Sequence, residues 1–210
     1  SQVYPGFTEE IIKEFKVNKK INIFYMVDTL KMGQASKNFL YPEQLIFGGD
    51  IKNRNIIKKI FNKFKCKKYL FGIKEAEIIK ISINLYLFFS VSFANIMDNF
   101  AKNNGIEFSK ILNTLKNDKR IGKFSYIQPS LGMAGGHLER DFFYFNKLNK
   151  NNLSSQILSK MFAYNQARKD ILEHEIKNLK IKKPKILIVG ISYKKQSYST
   201  TNSFFSGLLK

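Results

Sequence analysis

From Glu75 to Asn104 the chain runs without Pro or Gly, and its middle, Ile81 to Met97, carries no charge. No other feature limits the fold as strongly, because a run of this length and character fits only a long helix, either buried in protein or crossing a bilayer. Ser82, Asn84, Ser90, Ser92 and Asn95 interrupt the uncharged part, and Lys80 and Asp98 flank it. In lipid each of those polar groups needs a partner within the bundle. The segment therefore reads as a helix buried on most sides in a soluble assembly. It ends near Asn103-Asn104-Gly105, where glycine supplies a left-handed cap.

On the N-terminal side, strand and helix patterns alternate. Tyr4-Pro5-Gly6 punctuates a strand-like end, and a helix starts near Thr8 with Glu9 and Glu10 placed against its dipole. A strand-like run follows at Ile21 to Val27, then a loop through about Pro42 and a short strand at Gln44 to Phe47 closed by Gly48-Gly49. Asn55 to Phe64 shows helical spacing, and Lys68 to Phe71 reads as a strand. Beyond the long helix the pattern is helical: Glu107 to Asn117, a Gly-rich loop from Gly122 to Gly136, then Arg140 to Asn149 and Leu153 to Leu179. Ile186-Leu187-Ile188-Val189-Gly190 reads as a buried parallel strand entering a phosphate-side loop. The expected architecture is α/β flanks around an all-α centre, divided at 1–72, 73–182 and 183–210. The first flank reads as beginning in mid-domain and the last is too short to close a sheet of its own, so the chain reads as cut at both ends.

The formal charge of +20 comes from 36 Lys and Arg against 16 Asp and Glu. It raises the question of nucleic acid or an anionic membrane as partner. The cations are mostly Lys, spread from Lys13 to Lys210 in a chain also crowded with Asn, Ile and Phe, so composition bias explains part of the charge. No recognition motif accompanies it, and neither nucleic acid nor a membrane is expected as partner; a diffuse basic surface also suits small anionic ligands. Cys66 is the single cysteine, which rules out an internal disulfide, and no Cys/His spacing points to a metal. With no export signal in Ser1 to Gly6, the expected compartment is the cytoplasm.

Several motifs occur in a fixed order. Ser1 to Thr8 is similar to a strand-end Ser-Thr-x-Pro-x-Gly-Thr, and Gly33-x-Ala35 is followed by Phe39 and Pro42. Glu75-Ala76-Glu77 precedes Lys80 and Asn84, Asp118-x-Arg120-Ile121-Gly122 precedes the Gly-rich stretch from Pro129 to Asp141, and Gly190-Ile191-Ser192-Tyr193-Lys194 closes the series. Together they resemble the UDP-glucose/GDP-mannose dehydrogenase family across nearly the whole chain. The resemblance implies the C-terminal part of a Rossmann-like dinucleotide-binding domain at 1–72, a helical dimerisation domain at 73–182 and the beginning of a second, nucleotide-sugar-binding Rossmann-like domain at 183–210. It implies NAD as cofactor, a nucleotide sugar as substrate, a homodimer through the helix at about 75–103 and a role in surface-polysaccharide biosynthesis.

The resemblance also assigns roles. Lys80 and Asn84, four apart and so on one helix face, would stabilise charge on the reacting oxygen and position water; without the resemblance, they read rather as a snorkelling lysine and an asparagine serving a backbone group. Asp141 completes the expected polar centre. Gly132, Gly135, Gly136 and Lys194 are expected against the substrate, and Gln2 and Arg140 on the cofactor side, where the family has Thr and Lys. Aligned on Asp141, the family's nucleophilic cysteine falls on His137. An imidazole can accept the alcohol proton but cannot form the thiohemiacetal that carries the second oxidation. Cys66, expected before the long helix, reads as a structural thiol.

Other departures agree with an impaired site. The family's Pro-Glu falls on Val27-Asp28, a nearby acid on Met32, and Asp-x-Arg-x-Ser-Pro on Ser199 to Phe204, while no G-x-G-x-x-G follows any strand pattern. Two readings follow. One is an NAD-linked dehydrogenase that completes only part of the reaction, with the 210 residues alone not competent. The other is a non-catalytic relative that dimerises and binds a nucleotide sugar weakly.

Overall fold

The computed structural model describes residues 3–18, 20–30, 33–150, 152–182, 185–192, 200 and 203–205, apart from the side chains of residues 138, 169 and 172. These residues gather into two units, one up to Asn84 and the other from Leu85 onward.

In the first unit α1 (Phe7–Glu14), β1 (Tyr25–Met26) and α2 (Ala35–Leu40) precede β2 (Gln44–Gly48). A 3-10 turn (Ile51–Asn53) leads into α3 (Arg54–Ile60), β3 (Lys67–Phe71) and the start of α4 (Ile73–Asn103). The sheet order is β1-β2-β3: β1 lies antiparallel to β2 with Tyr25 opposite Gly48, and β3 lies parallel to β2 with Phe47 opposite Leu70. β2 is central and alternates across its two faces. Ile46 enters a cluster with Tyr25, Val27 and Ala76 of α4, whereas Leu45 and Phe47 enter another with Ile57 and Leu70. Burial on both faces is what its unbroken apolar run requires, and each such side chain contributes about 1.5–3 kcal/mol. Two glycines end the strand because nothing larger fits. A Cβ on Gly48 would meet Ala76 Cβ at 2.8 Å, and one on Gly49 would meet the Phe24 ring at 2.6 Å. Cys66 packs partly buried against the second cluster.

The second unit holds the rest of α4, α5 (Phe108–Asn117), α6 (Gly136–Leu148) and α7 (Leu153–Asn178). Gly105, at φ +70°, ends α4 as its sequence predicts, and the Ile106 N–H reaches back to the Ala101 carbonyl at 2.9 Å. Ala94 and Ala101 of α4 pack against Phe108 and Leu112 of α5 and against Ile127. Phe142 of α6 stacks on Phe162 of α7 with centroids 4.3 Å apart. α4 is long and apolar enough to span a membrane, but half of its most apolar window is buried against protein.

The structure differs from the sequence reading in three places. α2 occupies part of the expected loop before Pro42; six residues are too few for helical periodicity to show. Within Ile21 to Val27 only Tyr25 and Met26 pair. Residues 185–190 form no strand among the described residues, and Leu187 and Val189 are 87% and 85% exposed. An apolar run becomes a strand only where a neighbouring strand takes up its backbone hydrogen bonds, and no described strand does so here.

Candidate functional site

In the first unit, Lys80 and Asn84 lie half-buried on the same face of α4. Lys80 Nζ donates to the carbonyl of Asp28, just beyond β1. The Asp28 carboxylate accepts the Leu30 N–H at 2.8 Å, which tightens the segment into an Asx turn. A pocket of about 150 Å³ opens beside this segment, lined by Met26, Val27, Asp28, Leu30, Phe39 and Leu45 among others.

The fixed point of this region is Glu77, which is fully buried on α4. One carboxylate oxygen accepts from the Gly6 N–H at 2.6 Å, and the other from the Thr8 N–H at 3.0 Å and the Thr8 hydroxyl at 2.6 Å. α1 begins at a glycine with no side chain to cap it, so a carboxylate from a distant helix takes that place. Glu77 stands in the motif Glu75-Ala76-Glu77, where the sequence alone gives it no role; the glycine in the cap position of α1 is the signal for one. At the surface Lys74 pairs with Glu9 at 2.8 Å, and this hydrogen bond holds the Lys74 ammonium above its ordinary pKa.

In the second unit the stretch from Pro129 to Gly135 has no regular structure, yet buried side chains fix it. The Ser130 N–H donates to Asn95 Oδ1 at 2.8 Å and the Met133 N–H to Asn165 Oδ1 at 2.7 Å; Asn165 Nδ2 returns a bond to the Met133 carbonyl at 2.9 Å. Arg168 Nη2 donates to the Ser130 carbonyl at 2.7 Å. Gly132, at φ +137°, leaves no space for a side chain: a Cβ would stand 2.3 Å from the Phe204 ring and 2.9 Å from Asn165 Oδ1.

The fixed loop delivers Gly135 and Gly136 to the start of α6, where His137 is exposed and Asp141, one turn on, is 1% exposed. Arg140 lies between them, its Nη2 3.1 Å from His137 Nδ1 and its Nε 4.0 Å from Asp141 Oδ1. A guanidinium only donates, so this contact is a hydrogen bond in the tautomer that leaves Nδ1 free to accept. α6 thus brings His137, Arg140 and Asp141 together behind Gly132, Gly135 and Gly136, while Lys80 and Asn84 belong to the first unit. Gln2 and Lys194 lie outside the described residues, as does Met32.

Asn95, Asn165 and Arg168 were missing from the expected site. Their signal was present: Leu158, Met161 and Phe162 mark the apolar face of α7, and the same spacing carried forward lands on Asn165 and Arg168. Polar residues on a helix's buried face need partners, and here the partner is loop backbone.

Residues 74–167 match the model of the UDP-glucose/GDP-mannose dehydrogenase family, central domain. The whole chain is 30% identical to UDP-glucose 6-dehydrogenase of Campylobacter jejuni, covering 53% of that protein. Over 92% of its length it is 25% identical to UDP-N-acetyl-D-mannosamine dehydrogenase of Methanocaldococcus jannaschii, covering 44% of it. In fold it resembles the UDP-D-ManNAc dehydrogenase of Pyrococcus horikoshii, with a TM-score of 0.82, 19% identity, and coverage of 100% of this chain and 52% of that one. The chain spans about half the length of the curated relatives it matches. Residues 74–167 thus carry the central domain of the UDP-glucose/GDP-mannose dehydrogenase family, and the whole chain is similar to the curated UDP-glucose 6-dehydrogenase.

Proposed function

We propose that this chain carries substrate-side machinery of a cytoplasmic nucleotide-sugar dehydrogenase of the UDP-glucose 6-dehydrogenase type, serving surface-polysaccharide synthesis. The observation that carries the reading is the anchored Gly-rich loop, which hands His137, Arg140 and Asp141 to the first turns of one helix. Lys80 and Asn84 supply an ammonium and a carboxamide for an oxygen that gains negative charge. His137 offers an imidazole with one nitrogen engaged by Arg140 and stands where the family's cysteine falls. It can exchange a proton with the substrate hydroxyl but forms no thioester.

NAD is the oxidant that the family match implies. The space beside Gly48 and Gly49 at the end of β2 is taken by Ala76 and Phe24, and no G-x-G-x-x-G follows β1, β2 or β3. The described residues therefore do not fit the cofactor's diphosphate, and no step here passes through it.

The partner in assembly is a second copy of the chain. Tyr86, Phe89, Phe93, Ile96 and Phe100 are 62%, 38%, 45%, 47% and 62% exposed on α4. Their alternating spacing of three and four is that of a helix–helix seam.

The experiment is a titration with UDP-glucose, and separately with UDP-N-acetylmannosamine, followed at the two histidine rings by NMR. Movement of the His137 signals with those of His174 unchanged is the expected result. If neither sugar nucleotide moves His137, the reading is wrong.

A further inference from the structure

Arg168 is 7% exposed, and every hydrogen-bond partner of its guanidinium is neutral. Nη2 bonds the Ser130 carbonyl at 2.7 Å, and Nη1 reaches the Tyr164 hydroxyl at 3.3 Å and Asn99 Oδ1 at 3.5 Å. Among the described residues Nε has no hydrogen-bond partner and no carboxylate forms an ion pair with Arg168. Buried cations are ordinarily paired with an acid, because desolvation otherwise goes uncompensated. One turn earlier, Asn165 is 2% exposed and commits its carboxamide to both backbone groups of Met133.

The consequence for the loop follows from peptide geometry. Its peptide bonds are trans, so the C=O and N–H of each unit point in opposite directions. With the Ser130 carbonyl turned to Arg168, the Leu131 N–H turns away; with the Met133 carbonyl turned to Asn165, the Ala134 N–H turns away. Neither N–H donates a hydrogen bond among the described residues. A guanidinium on the Ser130 carbonyl also polarises that peptide unit and strengthens its outward N–H as a donor.

We propose that Asn165 and Arg168 are positioning residues: they hold the backbone from Ser130 to Ala134 with the Leu131 and Ala134 N–H groups turned away from them, and Arg168 supplies a buried, uncancelled positive charge that draws the anionic part of the ligand to the loop. The inference rests on the reading that this loop meets a nucleotide sugar. Charge and geometry are then separate contributions of one side chain.

The test uses the full chain and five variants: Asn165→Leu, Asn165→Asp, Arg168→Ala, Arg168→Gln and Arg168→Lys. Amide hydrogen exchange at Ser130, Met133 and Ala134 reads loop order, and calorimetric titration with UDP-glucose reads affinity. Asn165→Leu removes both bonds to Met133 and is expected to speed exchange of its amide by about tenfold or more. Should that variant fail to fold, Asn165→Asp keeps the size and the acceptor, and its second oxygen, turned on the Met133 carbonyl, is expected to speed exchange at Ala134. Arg168→Ala should weaken UDP-glucose binding by about tenfold. Arg168→Gln should restore loop protection without restoring affinity, and Arg168→Lys should recover much of the affinity. A purely structural arginine would instead show affinity following loop protection across all three variants, which would overturn the charge assignment. Unchanged exchange in both Asn165 variants would overturn the positioning role. If the wild-type chain binds no UDP-glucose, the nucleotide-sugar reading and the ligand-directed charge fall together, and the exchange data alone decide the clamp.

Discussion

The two units fix their polar residues in different ways. At the start of α4 a single carboxylate, Glu77, gathers three donors from Gly6 and Thr8, and Lys80 one turn later reaches the Asp28 carbonyl. Around the Gly-rich loop the work is divided among Asn95, Asn165 and Arg168, which together make four bonds to the backbone of only two residues. The first arrangement concentrates energy in one charged group, which is strong and brittle. The second spreads it over neutral amides and one cation, so the loop is over-determined and no single bond dominates.

The most severe way to test this contrast is Glu77→Ala, which strands the Gly6 N–H, the Thr8 N–H and the Thr8 hydroxyl. Hydrogen bonds to a charged acceptor are worth more than neutral ones, and a loss of about 3 kcal/mol in urea unfolding is expected. Loss of helicity at α1 should accompany it. Glu77→Gln keeps one acceptor oxygen and should cost less than half as much. If the two variants cost the same, the carboxylate's charge is not what holds α1.

Gly132→Ala is the corresponding test of the second unit. The methyl group would meet the Phe204 ring and Asn165 Oδ1, and alanine is strained at φ +137°. A cost of about 2 kcal/mol is expected, read by urea unfolding and by faster exchange at the Met133 amide. A neutral effect would mean that the loop shifts freely, contrary to an over-determined anchor.

These two anchors were unequally legible in the sequence. The long helix, α5, β2 and β3 follow from apolar spacing, because each buries a face or a full strand whose period survives in the residues. α2 was hidden by its shortness, β1 is shorter than the run from Ile21 to Val27 that announces it, and the run at Ile186 to Val189 reads as a strand although no described neighbour pairs with it. Expected site residues carried by motifs, such as Lys80, Asn84 and Asp141, could be named from the chain. Their supports could not be read as easily, since Glu77 serves residues some seventy positions earlier and Asn165 and Arg168 serve a loop more than thirty positions back. Only the fold brings those pairs together, although the polar residues placed on a buried helical face pointed to α7.

A third variant separates anchoring from assembly. Phe93 is 45% exposed on α4, away from both sets of buried polar bonds. Phe93→Lys places like charges across a self-facing seam and is expected to weaken the dimer about tenfold in sedimentation equilibrium. Monomer stability should change by no more than about 0.5 kcal/mol. A large stability loss with no change in association would place Phe93 among the anchors and remove the seam from the proposed function.

The smallest effect belongs to an anchor at the surface. Asp118 accepts from Arg120 Nε at 3.0 Å, Nη2 at 2.5 Å and the Arg120 backbone N–H at 2.9 Å, all exposed to solvent. The side-chain bond from Arg120, then its backbone N–H, holds the Asp118 carboxyl below its ordinary value. Because the folded-state pKa is depressed, the pair's contribution is fully present above the unfolded-chain value, about 3.9, and is lost as pH falls through the lower folded value. Solvent screening keeps that contribution small. In an NMR titration Asp118 should therefore have a midpoint below that of a free aspartate, and Arg120→Ala should raise it while leaving the Met133 amide protected. A midpoint that stays depressed without Arg120 would mean that the backbone turn, rather than the guanidinium, sets the charge of this loop.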